Sequence, residues 1–263
     1  MRKILTILSL VLSSLFLLTS CGGGEVKEQE KIVVGLDDEY APFGFRDNNN
    51  EIVGFDVDLA KETARRLGVE FEFKAIDWNS KVEELNSGNI DIIWNGLDIT
   101  PERQEFFLYS NPYMDNRQII LLNQNAGFTI TSESDLAGKR VGTQGGSNSE
   151  TYVEQNETLR NSMREFKTYS TVLNAFNALS SGEVDLLICD EHAARYELSK
   201  NAGKFKLVEV TIGPVTKIGI GFRKSDVELR DKVQIVFNEM IKDGTAAKIS
   251  AQWFQADLIK TTW

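Results

Sequence analysis

Two short segments carry the residue types best suited to hold a small anion. The first is Asn95-Gly96-Leu97-Asp98-Ile99-Thr100-Pro101-Glu102-Arg103. Thr100 followed by Pro101 reads as a helix N-cap with proline at the first helical position. Arg103 then falls in the first turn, beside a helix N-terminus that favours negative charge. A guanidinium there can grip a carboxylate through two parallel hydrogen bonds. The same residues also fit a surface arginine paired with Glu102 or Glu105. The second segment is Gly142-Thr143-Gln144-Gly145-Gly146-Ser147-Asn148-Ser149-Glu150. Such a glycine-rich turn exposes backbone N–H groups to an anion. It has neither the lysine of a phosphate-binding loop nor the full dinucleotide glycine spacing. A small carboxylate suits it as well as a phosphate does.

Other chemistry is excluded by composition. The two cysteines, Cys21 and Cys189, form neither a disulfide framework nor a cysteine zinc site. The single histidine, His192, rules out constellations that need two. It reads as a lone surface histidine, or as one on a cleft rim two residues after Asp190. Cys189 lies in the apolar run Leu186-Leu187-Ile188-Cys189 and reads as a small buried hydrophobe. With 263 residues and 41% hydrophobic content the chain is too long for a small stapled module and too apolar for a disordered one. A net charge of −10 argues against nucleic-acid binding, which needs a basic face. No motif calls for a metal or other cofactor.

The elements that must position these residues alternate between strand and helix. Lys31 to Leu36 is a β-branched run. Phe55, Val57, Leu59, Ala60, Ala64 and Leu67 make a helical stripe that Gly68 stops. Val69, Phe71 and Phe73 alternate with charged residues, giving a strand with one wet face. A short helix over about 81–86 precedes an apolar strand over 90–94. Ser225-Asp226-Val227-Glu228 reads as a capping box before a helix carrying Leu229, Val233, Val236, Phe237, Met240 and Ile241. A last helix carries Ala246, Ile249 and Trp253. This alternation implies mostly parallel sheets and an α/β class.

An internal repeat refines the layout. Leu85-Asn86-Ser87-Gly88-Asn89-Ile90-Asp91-Ile92-Ile93 recurs as Leu179-Ser180-Ser181-Gly182-Glu183-Val184-Asp185-Leu186-Leu187. A weaker echo pairs Lys31-Ile32-Val33-Val34-Gly35 with Lys139-Arg140-Val141-Gly142. The period is too long for a solenoid and fits two similar domains. Asp91 and Asp185 each open a strand after a glycine turn, where a carboxylate accepts backbone N–H bonds. Both read as structural.

The N-terminus reads as an address. Arg2 and Lys3 precede an apolar run from Ile4 to Leu18, broken only by Thr6, Ser9, Ser13 and Ser14. That is a signal-peptide core, short for a membrane span. Leu18-Thr19-Ser20-Cys21 resembles the lipobox of bacterial lipoproteins, which implies a signal peptide over 1–20 and lipidation of Cys21. Residues 21–30, rich in glycine and charge, read as a flexible tether. Acyl chains would hold the protein to a membrane face without spanning it.

Five motifs occur in order along the body. They are Tyr40-Ala41-Pro42-Phe43, Val53-Gly54-Phe55-Asp56-Val57-Asp58-Leu59-Ala60, Asp98-Ile99-Thr100-Pro101-Glu102-Arg103, Tyr109-Ser110-Asn111-Pro112-Tyr113 and Leu136-Ala137-Gly138-Lys139-Arg140-Val141-Gly142. Together they resemble the family-3 solute-binding proteins of ABC importers, the polar amino-acid-binding type. The resemblance implies a type II periplasmic-binding-protein fold, with two α/β lobes joined by two hinge strands around a ligand cleft. Lobe 1 is then 31–113 with 219–263, lobe 2 is 118–213, and the hinges are about 114–117 and 214–218. It also implies roles. Arg103 takes the ligand α-carboxylate, completed by Ser147 and Asn148. Asp190 takes the α-ammonium. Tyr40 and Trp78 wall the ligand side chain, and their turn-like surroundings agree with exposure to a cleft. Asp37 and Gln144 set side-chain selectivity, and Asn95 and Gly96 offer backbone contacts.

One position departs from the pattern. Asp98 stands where many relatives carry serine or threonine, so with Asp37 and Asp190 three acids would surround one cleft. The resemblance implies a monomeric, lipid-anchored extracytoplasmic receptor that binds a polar amino acid and works with an ABC permease. The acids point to a cationic amino acid or cystine, and Gln144 equally to glutamine. The alternative is an enzyme on the same scaffold, similar to cyclohexadienyl or arogenate dehydratases, which needs a general acid in the cleft.

Overall fold

The computed structural model describes residues 31–260. The expected signal peptide, lipidation at Cys21 and tether all lie outside the described residues.

Strand β1 (Lys31–Leu36) leads into a small antiparallel sheet of β2 (Glu39–Tyr40), β3 (Gly44–Arg46) and β4 (Ile52–Val53). Helix α1 (Phe55–Leu67) buries the expected stripe, and Gly68 closes it in the left-handed conformation. In β5 (Glu70–Ala75) Phe71 is buried while Glu70 and Glu72 are exposed. A 3-10 turn over Trp78–Ser80 runs into α2 (Lys81–Asn86). Strand β6 is only Ile92–Ile93, shorter than expected. Pairing frays around it: Asp91 N–H still reaches the Val33 carbonyl at 2.8 Å, and Trp94 N–H reaches Gly35 only at 3.4 Å. Then come β7 (Asp98–Ile99), α3 (Pro101–Phe106), β8 (Leu108–Tyr109) and the long β9 (Met114–Asn123).

The second half repeats the plan. It contains β10 (Arg140–Gln144), α4 (Asn148–Gln155), α5 (Glu157–Ser162), β11 (Glu165–Tyr169), α6 (Val172–Ser181), β12 (Leu186–Asp190) and α7 (Glu191–Lys200). Strand β13 (Phe205–Ile218) runs back, followed by β14 (Gly221–Phe222), α8 (Val227–Lys242) and α9 (Thr245–Phe254).

The first large sheet has the order β5-β1-β6-β14-β8 and the second β11-β10-β12-β9-β13-β7. In each, one strand sits parallel between two others: β1 between β5 and β6, β10 between β11 and β12. The sequence repeat is therefore a structural repeat, with Val34 opposite Ile92 and Val141 opposite Leu186. Gly88 and Gly182 make its turn, both with positive φ. Asp91 Oδ2 accepts the Val33 N–H at 2.9 Å, and Asp185 Oδ2 accepts the Arg140 N–H at 2.8 Å. Arg223 and Arg140 clamp these carboxylates at 2.7 and 2.6 Å. Both aspartates are structural, as expected.

Strands β9 and β13 run antiparallel and connect the two halves, with Asn116 opposite Thr216. The chain is thus two α/β lobes joined by two crossing strands. Cys189 is buried, as expected, and burial pushes its thiol up to about 12. The capping box at Ser225 does not form. Asp226 is the N-cap residue of α8 but makes no side-chain cap bond, because its Oδ2 is drawn 2.6 Å from Arg223 Nε. Ser225 Oγ instead donates to Asp226 Oδ1. Among the described residues, no helix is long and apolar enough to cross a membrane.

Candidate functional site

One small cavity gathers most of the expected site residues. The segment before β9 supplies Tyr40, Trp78, Gly96, Asp98 and Arg103. The segment between β9 and β13 supplies Gln144, Ser147, Asn148 and Asp190. The cavity's free space of about 20 Å³ is room for about one water molecule, so an amino acid needs the lining to move apart.

At one end stand cations and helix N-termini. Thr100 Oγ1 accepts the Arg103 N–H at 3.2 Å and caps α3, with Pro101 at the first helical position. Arg103 does not pair with Glu102 or Glu105. Its Nη2 donates to the Gly146 carbonyl at 2.9 Å, and its Nη1 stands 4.0 Å from Asp98 Oδ2. Gly146 has φ +69°, a conformation that L side chains rarely adopt. Its N–H donates to Glu150 Oε2 at 2.6 Å, and Ser147 Oγ caps α4 by accepting the Glu150 N–H. Lys81, absent from the sequence reading, is buried here. Its Nζ donates to the Trp78 and Gly146 carbonyls, each at 2.9 Å. Desolvation lowers its ammonium to about 7, and the nearby Arg103 charge adds to the effect.

Two carboxylates, Asp98 and Asp190, line the same cavity. Burial pushes the Asp98 carboxyl up, opposed by Arg103 and by hydrogen bonds from Thr216 and Asn116. Burial raises Asp190 to about 7. Two amides, Asn116 Nδ2 and Gln118 Nε2, donate to Asp190 Oδ1.

The aromatic walls and their surroundings make the third part. Tyr40 and Trp78 both line the cavity, although each is below 10% exposed. Asp77 Oδ1 accepts the Asn79 N–H and fixes the Trp78 turn. Asp37 and Asn95 do not line the cavity. Asp37 is buried, with Oδ1 on the Glu39 N–H at 2.9 Å and Oδ2 on Gln144 Nε2 at 2.6 Å. Asn95 Oδ1 in turn accepts the Asp37 N–H at 3.1 Å. The expected trio of acids around the cleft is therefore a pair, Asp98 and Asp190. The third carboxylate is already satisfied by protein donors.

Two further residues depart from the sequence reading. His192 is half-buried rather than fully exposed. Its ring packs on Phe43 and Phe254, with centroids 5.9 and 5.5 Å away, and Nε2 lies 3.0 Å from the Asp115 carbonyl. Asp56, quoted only as part of a motif, is fully buried. It accepts the Gly96 N–H at 2.6 Å and the Tyr113 hydroxyl at 2.8 Å, and so holds the cavity-lining Gly96 in place. A carboxylate between Phe55 and Val57, at the start of an apolar stripe, was the available signal.

The model of the bacterial extracellular solute-binding proteins, family 3, matches residues 32–256. The chain belongs to this family. This solute-binding protein is 32% identical to the L-cystine-binding protein of Escherichia coli, over 90% of this chain and 87% of that one. Among solved structures it resembles an ABC uptake transporter substrate-binding protein from Streptococcus pneumoniae with bound histidine. That likeness has 33% identity, a TM-score of 0.83, and covers 88% of this chain and 95% of the other. It also resembles an ancestral amino-acid-binding protein described as a precursor of cyclohexadienyl dehydratase. Here identity is 33%, the TM-score 0.78, and coverage 85% and 95%. The architecture is the type II periplasmic-binding-protein fold. Members of the family are extracytoplasmic binding proteins, and relatives of this chain bind amino acids for ABC transport.

Proposed function

We propose that the protein is a lipid-anchored extracytoplasmic receptor that binds a polar L-amino acid and delivers it to an ABC importer permease. The observation that carries this is charge placement in one small cavity. Arg103 and the N-terminus of α4 line it together with two carboxylates, Asp98 and Asp190. A free amino acid presents a carboxylate and an ammonium, and the cavity lining offers partners for both. Burying either charge without its partner costs several kcal/mol, so recognition and closure coincide. On this reading lobe 1 is 31–113 with 219–263, lobe 2 is 118–213, and the hinges lie in β9 and β13. Ser147 and Asn148 complete the carboxylate site. Tyr40 and Trp78 flank the side chain, with Gln144 and Asp37 beyond them setting selectivity. The names of the relatives favour a histidine-like or arginine-like cation or cystine. Gln144 also suits glutamine.

One observation favours a second reading. A buried carboxyl raised to about 7, as Asp190 is, suits a general acid. A dehydratase-like enzyme on this scaffold is the alternative, and the neighbour described as a dehydratase precursor agrees with it.

A thermal-shift screen over the common amino acids tests the receptor reading. A ligand at 100 times its Kd adds about 2.7 kcal/mol of stability. No shift with any amino acid, together with turnover of arogenate or prephenate, would replace the receptor by the enzyme.

A further inference from the structure

We propose that Asn116, on the crossing strand β9, is a positioning residue for the ligand ammonium, pinning both cavity carboxylates to one amide nitrogen. The proposal rests on the amino-acid reading above.

Asn116 Nδ2 donates to Asp98 Oδ1 at 3.0 Å and to Asp190 Oδ1 at 2.7 Å. The second crossing strand joins in. Thr216, opposite Asn116 on β13, donates its Oγ1 to Asp98 Oδ1 at 2.6 Å. Gln118, on the same face of β9 as Asn116, donates Nε2 to Asp190 Oδ1 and accepts Ser149 Oγ. The Oδ1 atoms of both acids are thus engaged by residues of the two strands that join the lobes.

The Oδ2 atoms are left for something else. Among the described residues no hydrogen-bond donor reaches Asp190 Oδ2, and Asp98 Oδ2 has Arg103 Nη1 only at 4.0 Å. Both acids line the cavity. Two carboxylates sharing one neutral donor repel each other. A primary ammonium brings the missing positive charge and three N–H donors.

Asn116 itself shows a bias toward this task. Its Oδ1 is buried without a hydrogen-bond partner, while its Nδ2 serves two acceptors. Buried polar atoms are seldom left so. The amide is oriented for the carboxylates at the expense of its own oxygen. A residue that only held the strands together would satisfy both ends. Because β9 carries the amide, movement between the lobes alters the ammonium site directly.

The test compares an amino acid with its analogue lacking only the α-amine, in wild type, Asn116→Leu and Thr216→Val. Calorimetry uses L-arginine with δ-guanidinovalerate, L-histidine with imidazolepropionate, L-glutamine with glutaramate, or L-cystine with the mixed disulfide of L-cysteine and 3-mercaptopropionate, whichever amino acid the wild type binds. Asn116→Leu is expected to weaken the amino acid about tenfold or more, and the analogue less than about threefold. Thr216→Val should act in the same direction with a smaller loss, and it carries the comparison if Asn116→Leu shows no cooperative thermal transition. Equal losses for both members of a pair, or no loss, would overturn the proposal. A wild type that binds neither cystine nor any of the common amino acids overturns the receptor reading instead, and the proposal with it.

Discussion

Lys81 Nζ donates across the cleft to the carbonyl of Gly146 at 2.9 Å. Arg103 Nη2 donates to the same oxygen, also at 2.9 Å, so two cations of one lobe meet on one carbonyl of the other. On the proposed reading a ligand carboxylate draws Arg103 away, and Lys81 would then keep the Gly146 contact. Lys81→Met should therefore speed ligand release by about five- to tenfold, the effect of a lost bond of roughly 1 kcal/mol. Stopped-flow displacement checks this, and an unchanged release rate removes Lys81 from closure.

The same lysine should mark the pH dependence of stability. Desolvation, with Arg103 adding, depresses its folded value to about 7 from 10.5, while Glu150 and Asp77 oppose this. Between those values the unfolded chain binds more protons than the folded one, so this group makes stability rise with pH. Urea unfolding of the unliganded protein across that window should show a shallower rise in Lys81→Met than in wild type. Identical slopes would mean that Lys81 titrates as an ordinary amine.

Arg103→Ala should abolish amino-acid binding, with a loss beyond about 100-fold, because a buried carboxylate is left without its cation. The fold should persist. Thr100 caps α3 through backbone atoms of residue 103, which alanine retains. Calorimetry with near-wild-type affinity would remove Arg103 from the anchor role.

Asp190 should make binding proton-linked. Its carboxyl stands near 7 in the unliganded cavity because of burial, and an ammonium partner favours the ionised form. Binding near neutral pH then releases protons, and affinity weakens as pH falls below about 7, by up to about tenfold per pH unit. Calorimetry in two buffers of different ionisation enthalpy measures the release. Proton uptake, or none, would place the ammonium elsewhere.

What the sequence revealed was local. The stripe of α1, the Thr100-Pro101 cap and the Gly88 and Gly182 turns depend on neighbours within a few residues, and each formed. Of the cavity lining, Tyr40, Asp98 and Arg103 lie in the ordered motifs, and the other residues followed from the family resemblance. Lys81, Asn116 and the fate of Asp37 were hidden for a common reason. Each depends on what another part of the chain brings opposite it. Lysine at a helix start reads as solvated until Gly146 covers it. Asn116 and Gln118, two apart in an apolar strand, signalled an inward polar face, but only the packing of β12 and β13 around β9 supplies their acids. Asp37 counted as a free acid until Gln144 closed on it. His192 looked exposed because nothing nearby in sequence announces Phe43 or Phe254.

Cys21→Ser should release the exported protein from membranes into the soluble fraction. The basis is the lipobox-like Leu18-Thr19-Ser20-Cys21, where lipidation needs the thiol. Fractionation with metabolic palmitate labelling is the check. Membrane retention of an exported, unlabelled mutant would show that another feature holds it there.

Asp37 offers a handle on ligand identity. Burial raises its carboxyl to about 6, so it is mostly ionised at neutral pH, yet its partners are the neutral Glu39 N–H and Gln144 Nε2. A cationic side chain reaching it would supply the missing charge and displace Gln144. A neutral side chain would meet the amide and leave the Asp37–Gln144 bond intact. Asp37→Asn separates the cases with L-arginine and L-citrulline, which share shape and differ in charge. If the natural ligand is cationic, the variant should weaken L-arginine by about 1.5–3 kcal/mol, the range for a hydrogen bond to a charged group, and L-citrulline by much less. Gln144→Ala should then leave L-arginine binding intact or stronger, because the carboxylate no longer has to give up a partner. Equal losses for arginine and citrulline in Asp37→Asn would put the ligand side chain out of reach of Asp37. The Asp37–Gln144 pair would then be a bond between the lobes, and selectivity would rest with Tyr40 and Trp78.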